Sequence, residues 1–173
     1  MNFGKLAGFC AGMMLATGAF AQSSFGASDV TSGDGAQGAD SFDIAGLEPE
    51  DQTPTGKFTT AAEIAPIMQA TQDSWAAVRE YDGLDYVYFS HILAWRCGLK
   101  AMKFSINDAP LEEIALPECH MKYKQPNALI DNEVLAGVKT YELGSVNSIR
   151  VDLLLDNLTT QSVTLLRENI LIP

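Results

Sequence analysis

The chain has 173 residues, 47% of them hydrophobic, and a formal charge of −11 at neutral pH. That length suits one domain and a tail. The acidic balance, with no basic stripe, excludes the counterion release on which nucleic-acid binding depends and disfavours anionic membrane surfaces.

Lys5 gives the chain a short positive start, residues 6–20 are apolar or small throughout, and Ala19-Phe20-Ala21 closes the run in a small-x-small pattern. This reads as a secretory signal peptide over residues 1–21, with cleavage after Ala21 and a periplasmic or secreted mature protein. Cys10 follows Phe9 and lies early in the apolar run, so it is not read as a lipidated cysteine. No later run approaches the roughly 18 apolar residues of a membrane span, so no transmembrane segment is expected after cleavage.

Residues 22–56 carry Asp29, Asp34, Asp40, Asp43, Glu48, Glu50 and Asp51 without one Lys or Arg, among Gly, Ser, Ala and Thr. Such a stretch buries too little apolar surface to offset its chain entropy and is read as a disordered acidic linker. Residues 35–43, Gly-Ala-Gln-Gly-Ala-Asp-Ser-Phe-Asp, resemble the nonapeptide calcium repeat of RTX proteins, with Ala36 in place of the second Gly. Calcium in that family sits between stacked turns. A single copy has nothing to stack on, and the stretch stays a Gly-rich linker.

A single β-rich domain is expected over residues 57–173. Thr60 with Glu63 three residues on forms a capping-box pattern, and Ile64, Ile67 and Met68 line one face of a helix running to about Thr71. Strands follow. Residues 75–81 alternate loosely, Asp82-Gly83 signals a hairpin, and a long strand is read from Leu84 to Arg96. Its two faces are both apolar, which suggests a central position with Trp95 buried. Leu99 to Ile106 is the next strand, Asn107-Asp108 a turn, and residues 111–126 a short strand plus loop. Asn127 to Val138 reads as a short helix, residues 145–155 as a half-buried strand, and 162–166 and 169–172 as a last pair. The fold class is mainly β, with α+β as the alternative: an antiparallel sandwich of immunoglobulin-like type with one leading helix.

The mature chain holds two cysteines, Cys97 and Cys119, and an even pair in an oxidising compartment reads as a disulfide. The rival is a copper-handling site built from His91, Cys97, Cys119, His120 and Met121, which are soft and imidazole ligands. Its weakness is that Cys119, His120 and Met121 are contiguous, and neighbours on a strand point opposite ways. A hydrolase would need His91 as base, Ser90 or Ser105 as nucleophile and Glu80, Asp82 or Asp85 as orienting acid, without any nucleophile-elbow motif in support. Glu112, Glu113 and Glu118 offer carboxylate pairs, but acids are too plentiful here for any pair to inform. No phosphate-cradling loop is present and no cofactor is expected. Tyr86, Tyr88 and Ile92 share one face of the long strand and form the candidate surface for a protein partner. The reading is a non-enzymatic envelope or secreted domain.

Overall fold

The computed structural model describes residues 41–173. The expected signal peptide and its cleavage point, Cys10, and the linker up to residue 40 with most of the nonapeptide lie outside the described residues. In chain order the elements are α1 (Ala61–Ala70), β1 (Ala77–Tyr81), β2 (Leu84–Tyr88), the one-turn helix α2 (Ser90–Leu93), a 3₁₀ turn (Arg96–Gly98), β3 (Leu99–Ile106) and β4 (Glu112–Ile114). A second 3₁₀ turn (Val134–Gly137) leads into β5 (Val138–Glu142), β6 (Ser148–Leu155), β7 (Thr160–Leu166), α3 (Arg167–Ile170) and β8 (Leu171–Ile172).

The protein is mainly β. One four-stranded sheet has the order β5-β2-β1-β8 and the other β4-β3-β6-β7. Every pairing is antiparallel except β1 with β8. The first hairpin forms because Asp82 and Gly83 both take positive φ, 49° and 76°, as a two-residue turn matched to strand twist requires. In the second sheet Met102 and Phe104 of β3 and Ile149, Val151, Leu153 and Leu155 of β6 alternate inward. They share one hydrophobic core with Val78 and Val87 of the first sheet and with Ile64 and Met68 of α1.

Helix α1 starts where expected, but its N-terminus is held from outside. The Asp156 carboxylate accepts from the Ala61 N–H at 2.9 Å and Gln52 Oε1 from the Ala62 N–H at 2.9 Å. Glu63 turns back to accept from the N–H groups of Gly56 and Thr59. A carboxylate at this end also meets the positive pole of the helix dipole.

Four expectations are corrected. The long strand from Leu84 ends at Tyr88, because Phe89, Ile92, Leu93 and Arg96 are all buried at the i, i+3, i+4, i+7 spacing of a helical turn. Trp95 is only half-buried; the fully buried tryptophan is Trp75, whose indole donates to the Met68 carbonyl at 3.0 Å. The helix expected over residues 127–138 is absent: the segment holds only the 3₁₀ turn Val134–Gly137 and, at Val138, the start of β5, with Ile130, Val134 and Leu135 exposed. The last part of the linker, residues 41–56, is fastened to the domain. Phe42 is buried, Lys103 donates to the Ser41 carbonyl at 2.7 Å, and the Glu50 N–H donates to the Asp156 carbonyl. An edge strand, β5, had no counterpart among the expected elements. Its polar Lys139, Thr140 and Glu142 hide the period-two signal.

Candidate binding surface

The outer face of the first sheet carries three cross-strand rows: Ala77–Tyr88–Val138, Arg79–Tyr86–Thr140 and Tyr81–Leu84–Glu142. Ile172 stands beside Arg79 from β8. Tyr88 and Tyr86 stack at 6.4 Å and Tyr86 meets Tyr81 edge-on at 6.1 Å, so three rings run across the face. The Arg79 guanidinium lies 5.6 Å from the Tyr81 ring centre. Tyr81 is 60% exposed, Ile172 43% and Leu84 37%. Rings of this kind offer large contact area with few rotamers to freeze and a hydroxyl for water or a partner.

The same strand points Asp85 inward. Its carboxylate takes Arg167 Nη1 at 2.7 Å and Nη2 at 2.9 Å, and accepts from the Val146 N–H. The Arg167 hydrogen bonds outweigh burial and hold the Asp85 carboxyl down to about 2. Arg167 also reaches Glu80 at 2.6 Å. This network joins β1, β2 and α3 behind the tyrosine face, so the face rests on fixed backbone.

Of the residues singled out in the sequence, Tyr86 and Tyr88 share this face. Ile92 does not: it is fully buried in α2. Cys97 and Cys119 are joined with their Cα atoms 5.0 Å apart, so neither sulfur is a thiolate ligand. Met121 Sδ rests 3.4 Å from Cys119 Sγ as a sulfur contact. His120 Nε2 bonds Glu133 at 2.9 Å. Among the described residues no group of three or more His, Cys, Asp or Glu side chains is placed to hold a metal. His91 Nε2 lies 2.8 Å from Thr71 Oγ1, whose own proton goes to the Ile67 carbonyl, so Nε2 is the donor and has no lone pair for a nucleophile. Burial pushes His91 below its ordinary pKa. Glu112 and Glu113 sit on β4, and Glu118 lends its backbone carbonyl to Arg96.

Arg96 went unremarked in the sequence, although it directly precedes Cys97. Residues 115–133 contain no helix or strand, and the buried Arg96 guanidinium gathers them by donating to the carbonyls of Pro117, Glu118, Asn127 and Ala128 as well as Leu93. Asn127 adds a second clasp: its Oδ1 accepts from the Cys97 N–H at 2.9 Å and its Nδ2 donates to the Phe58 carbonyl at 2.7 Å. Phe58 is held at φ 57°, a left-handed conformation that costs a bulky residue about 1 kcal/mol or more. The only advance sign was an arginine at the fourth position of a helical apolar spacing.

Among the described residues no helix is long and apolar enough to cross a membrane. No family model matches the chain, and neither a curated protein nor a solved structure matches it.

Proposed function

We propose that this chain is a secreted or periplasmic, non-enzymatic domain that binds a protein partner through the outer face of its first sheet, as an accessory factor of the cell envelope. The observation that carries the reading is the run of Tyr81, Tyr86 and Tyr88 on that face, flanked by Leu84 and Ile172 and backed by the Asp85–Arg167 pair. Exposed aromatic and aliphatic side chains in one patch are the compositional mark of a protein interface. The signal-like N-terminus and the Cys97–Cys119 bridge support an oxidising compartment.

The architecture we favour is an immunoglobulin-like sandwich. In that fold the first, second and fifth strands share one sheet and the third, sixth and seventh the other. Here β1, β2 and β5 lie together, as do β3, β6 and β7, with β4 on the edge beside β3 and β8 added in parallel to β1.

The test is site-specific photo-crosslinking in an extracytoplasmic extract of the native host. A crosslinker in place of Tyr86 should give one discrete protein adduct, and one in place of Glu113 on β4 should not. The adduct should vanish when Tyr81 and Tyr88 are both changed to Ala with the melting midpoint kept. Equal labelling from both positions would remove the tyrosine face as the interface.

A further inference from the structure

A cleft of about 460 Å³ opens on the loop side of the molecule, between residues 56–58, Ala94 and Trp95, and residues 124–128. Phe58, Trp95 and Pro126 supply its apolar wall, and Lys57, Lys124 and Gln125 are among its polar groups. Phe58 sets its edge on the Trp95 ring at 5.3 Å and stays 44% exposed. Three observations set this place apart from an ordinary crevice.

The first is charge. In a chain of formal charge −11, no carboxylate among the described residues lines this cleft. Among the described residues neither the Lys57 nor the Lys124 ammonium is in an ion pair; the ion pairs involve Arg96, Lys100, His120, Arg150 and Arg167 instead. The second is strain. The backbone holds Phe58 in the left-handed region, where Gly would be at ease, and thereby presents an aromatic ring to the opening. The third is rigidity. Arg96 and the Asn127 side chain fix the facing loop, and the disulfide anchors it to Cys97. A wall fastened in advance spares a ligand the entropy of ordering it.

We propose that this cleft binds a carboxylate carried on an aromatic or branched apolar body, the ring of Phe58 and the indole of Trp95 taking the body and the ammonium groups of Lys57 and Lys124 the carboxylate. Two sources present that chemistry: a free organic acid, and the carboxy-terminal residue of a peptide. The site shares no residue with the tyrosine face, so it stands whether or not that face binds a partner.

Calorimetric titration of the mature oxidised protein tests this. The probes are phenylbutyrate and its neutral counterpart phenylbutanol, together with a short glycine peptide ending in Phe, with its carboxyl free or amidated. At least one free carboxylate should bind, and its neutral counterpart about tenfold more weakly. Saturation by phenylbutyrate assigns the site to organic acids; binding of the free-carboxyl peptide alone assigns it to peptide termini. The double change Lys57→Gln and Lys124→Gln should weaken binding about fivefold, as exposed charge pairs allow. Phe58→Gly should abolish it with the fold and the Cys97–Cys119 bridge retained, because Gly adopts the positive φ without strain and offsets part of the lost contact with Trp95. Absence of binding by both carboxylates, equal binding of the neutral probes, or undiminished binding by the Phe58→Gly protein would overturn the proposal.

Discussion

Arg96 and Asp85 show how much two buried charges organise here. Arg96 spends its donors on backbone carbonyls from four points of an irregular loop. A methionine of similar volume would strand those acceptors, and a lysine could not span them, since its ammonium lacks the planar fork. Arg96→Met should therefore lower stability by about 3 kcal/mol, as truncating one partner of a buried polar network does, and make residues 115–133 sensitive to limited proteolysis. Chemical denaturation and a timed digest read the two effects.

Asp85 gives a pH signature. An unfolded aspartate titrates near 3.8, whereas Asp85 in the fold is held to about 2 by Arg167. Between those values the unfolded chain binds the extra proton. The stabilisation is complete above the unfolded value and fades as pH falls through it toward 2. Glu63 acts in the same direction: burial would raise it, but the N–H groups of Thr59 and Gly56 bring it to about 2. The urea midpoint should begin to fall as pH drops through about 6.5, where the unfolded chain takes up the proton that half-buried His91 resists, and fall further below about pH 5 as Asp85 and Glu63 add their share. Asp85→Asn should be less stable at neutral pH and show a shallower drop.

At the scale of elements, the hairpins were the most legible part. Asp82-Gly83 and Asn107-Asp108 take the positive φ values their residue types allow, and β3 follows the alternation of its sequence. The error at Leu84 to Arg96 came from reading an apolar stretch on two faces as one covered strand. After Phe89 the period changes from two to that of a helix, and only the spacing of Phe89, Ile92, Leu93 and Arg96 records it. Of the candidate surface, Tyr86 and Tyr88 were visible as alternate positions. Tyr81 and Ile172 join them only through the pairing of β1 with β2 and β8, which is not local information. The close approach of α1 to the turn Arg96–Gly98 was equally hidden. A Cβ on Gly98 would come within 2.9 Å of the Thr60 backbone and 2.8 Å of Ile64. Gly98→Ala should thus cost about 2 kcal/mol through overpacking, seen as a lower melting midpoint with the disulfide intact.

For the molecule as a whole, two fasteners supplement the core. The Cys97–Cys119 bridge spans a sequence separation of 22 and is worth about 3 kcal/mol in the chain-entropy account. The strap of residues 41–56 packs Phe42 beside Lys103, whose ammonium lies 5.1 Å from the ring, and ties Glu50 and Gln52 to Asp156 beneath α1. A chain starting at residue 57 should melt below one starting at residue 41, because it loses these contacts and bares the first turn of α1; equal midpoints would show that the strap adds nothing.

Export and oxidation together set the compartment of the proposed partner and the fastening of residues 115–133. The decisive measurement is the intact mass of the protein isolated from its native host without reductant. We predict a chain beginning at Gln22 with the mass of the Cys97–Cys119 disulfide, about 2 Da below the dithiol. A chain that keeps residues 1–21 and carries free thiols at Cys97 and Cys119 would contradict it.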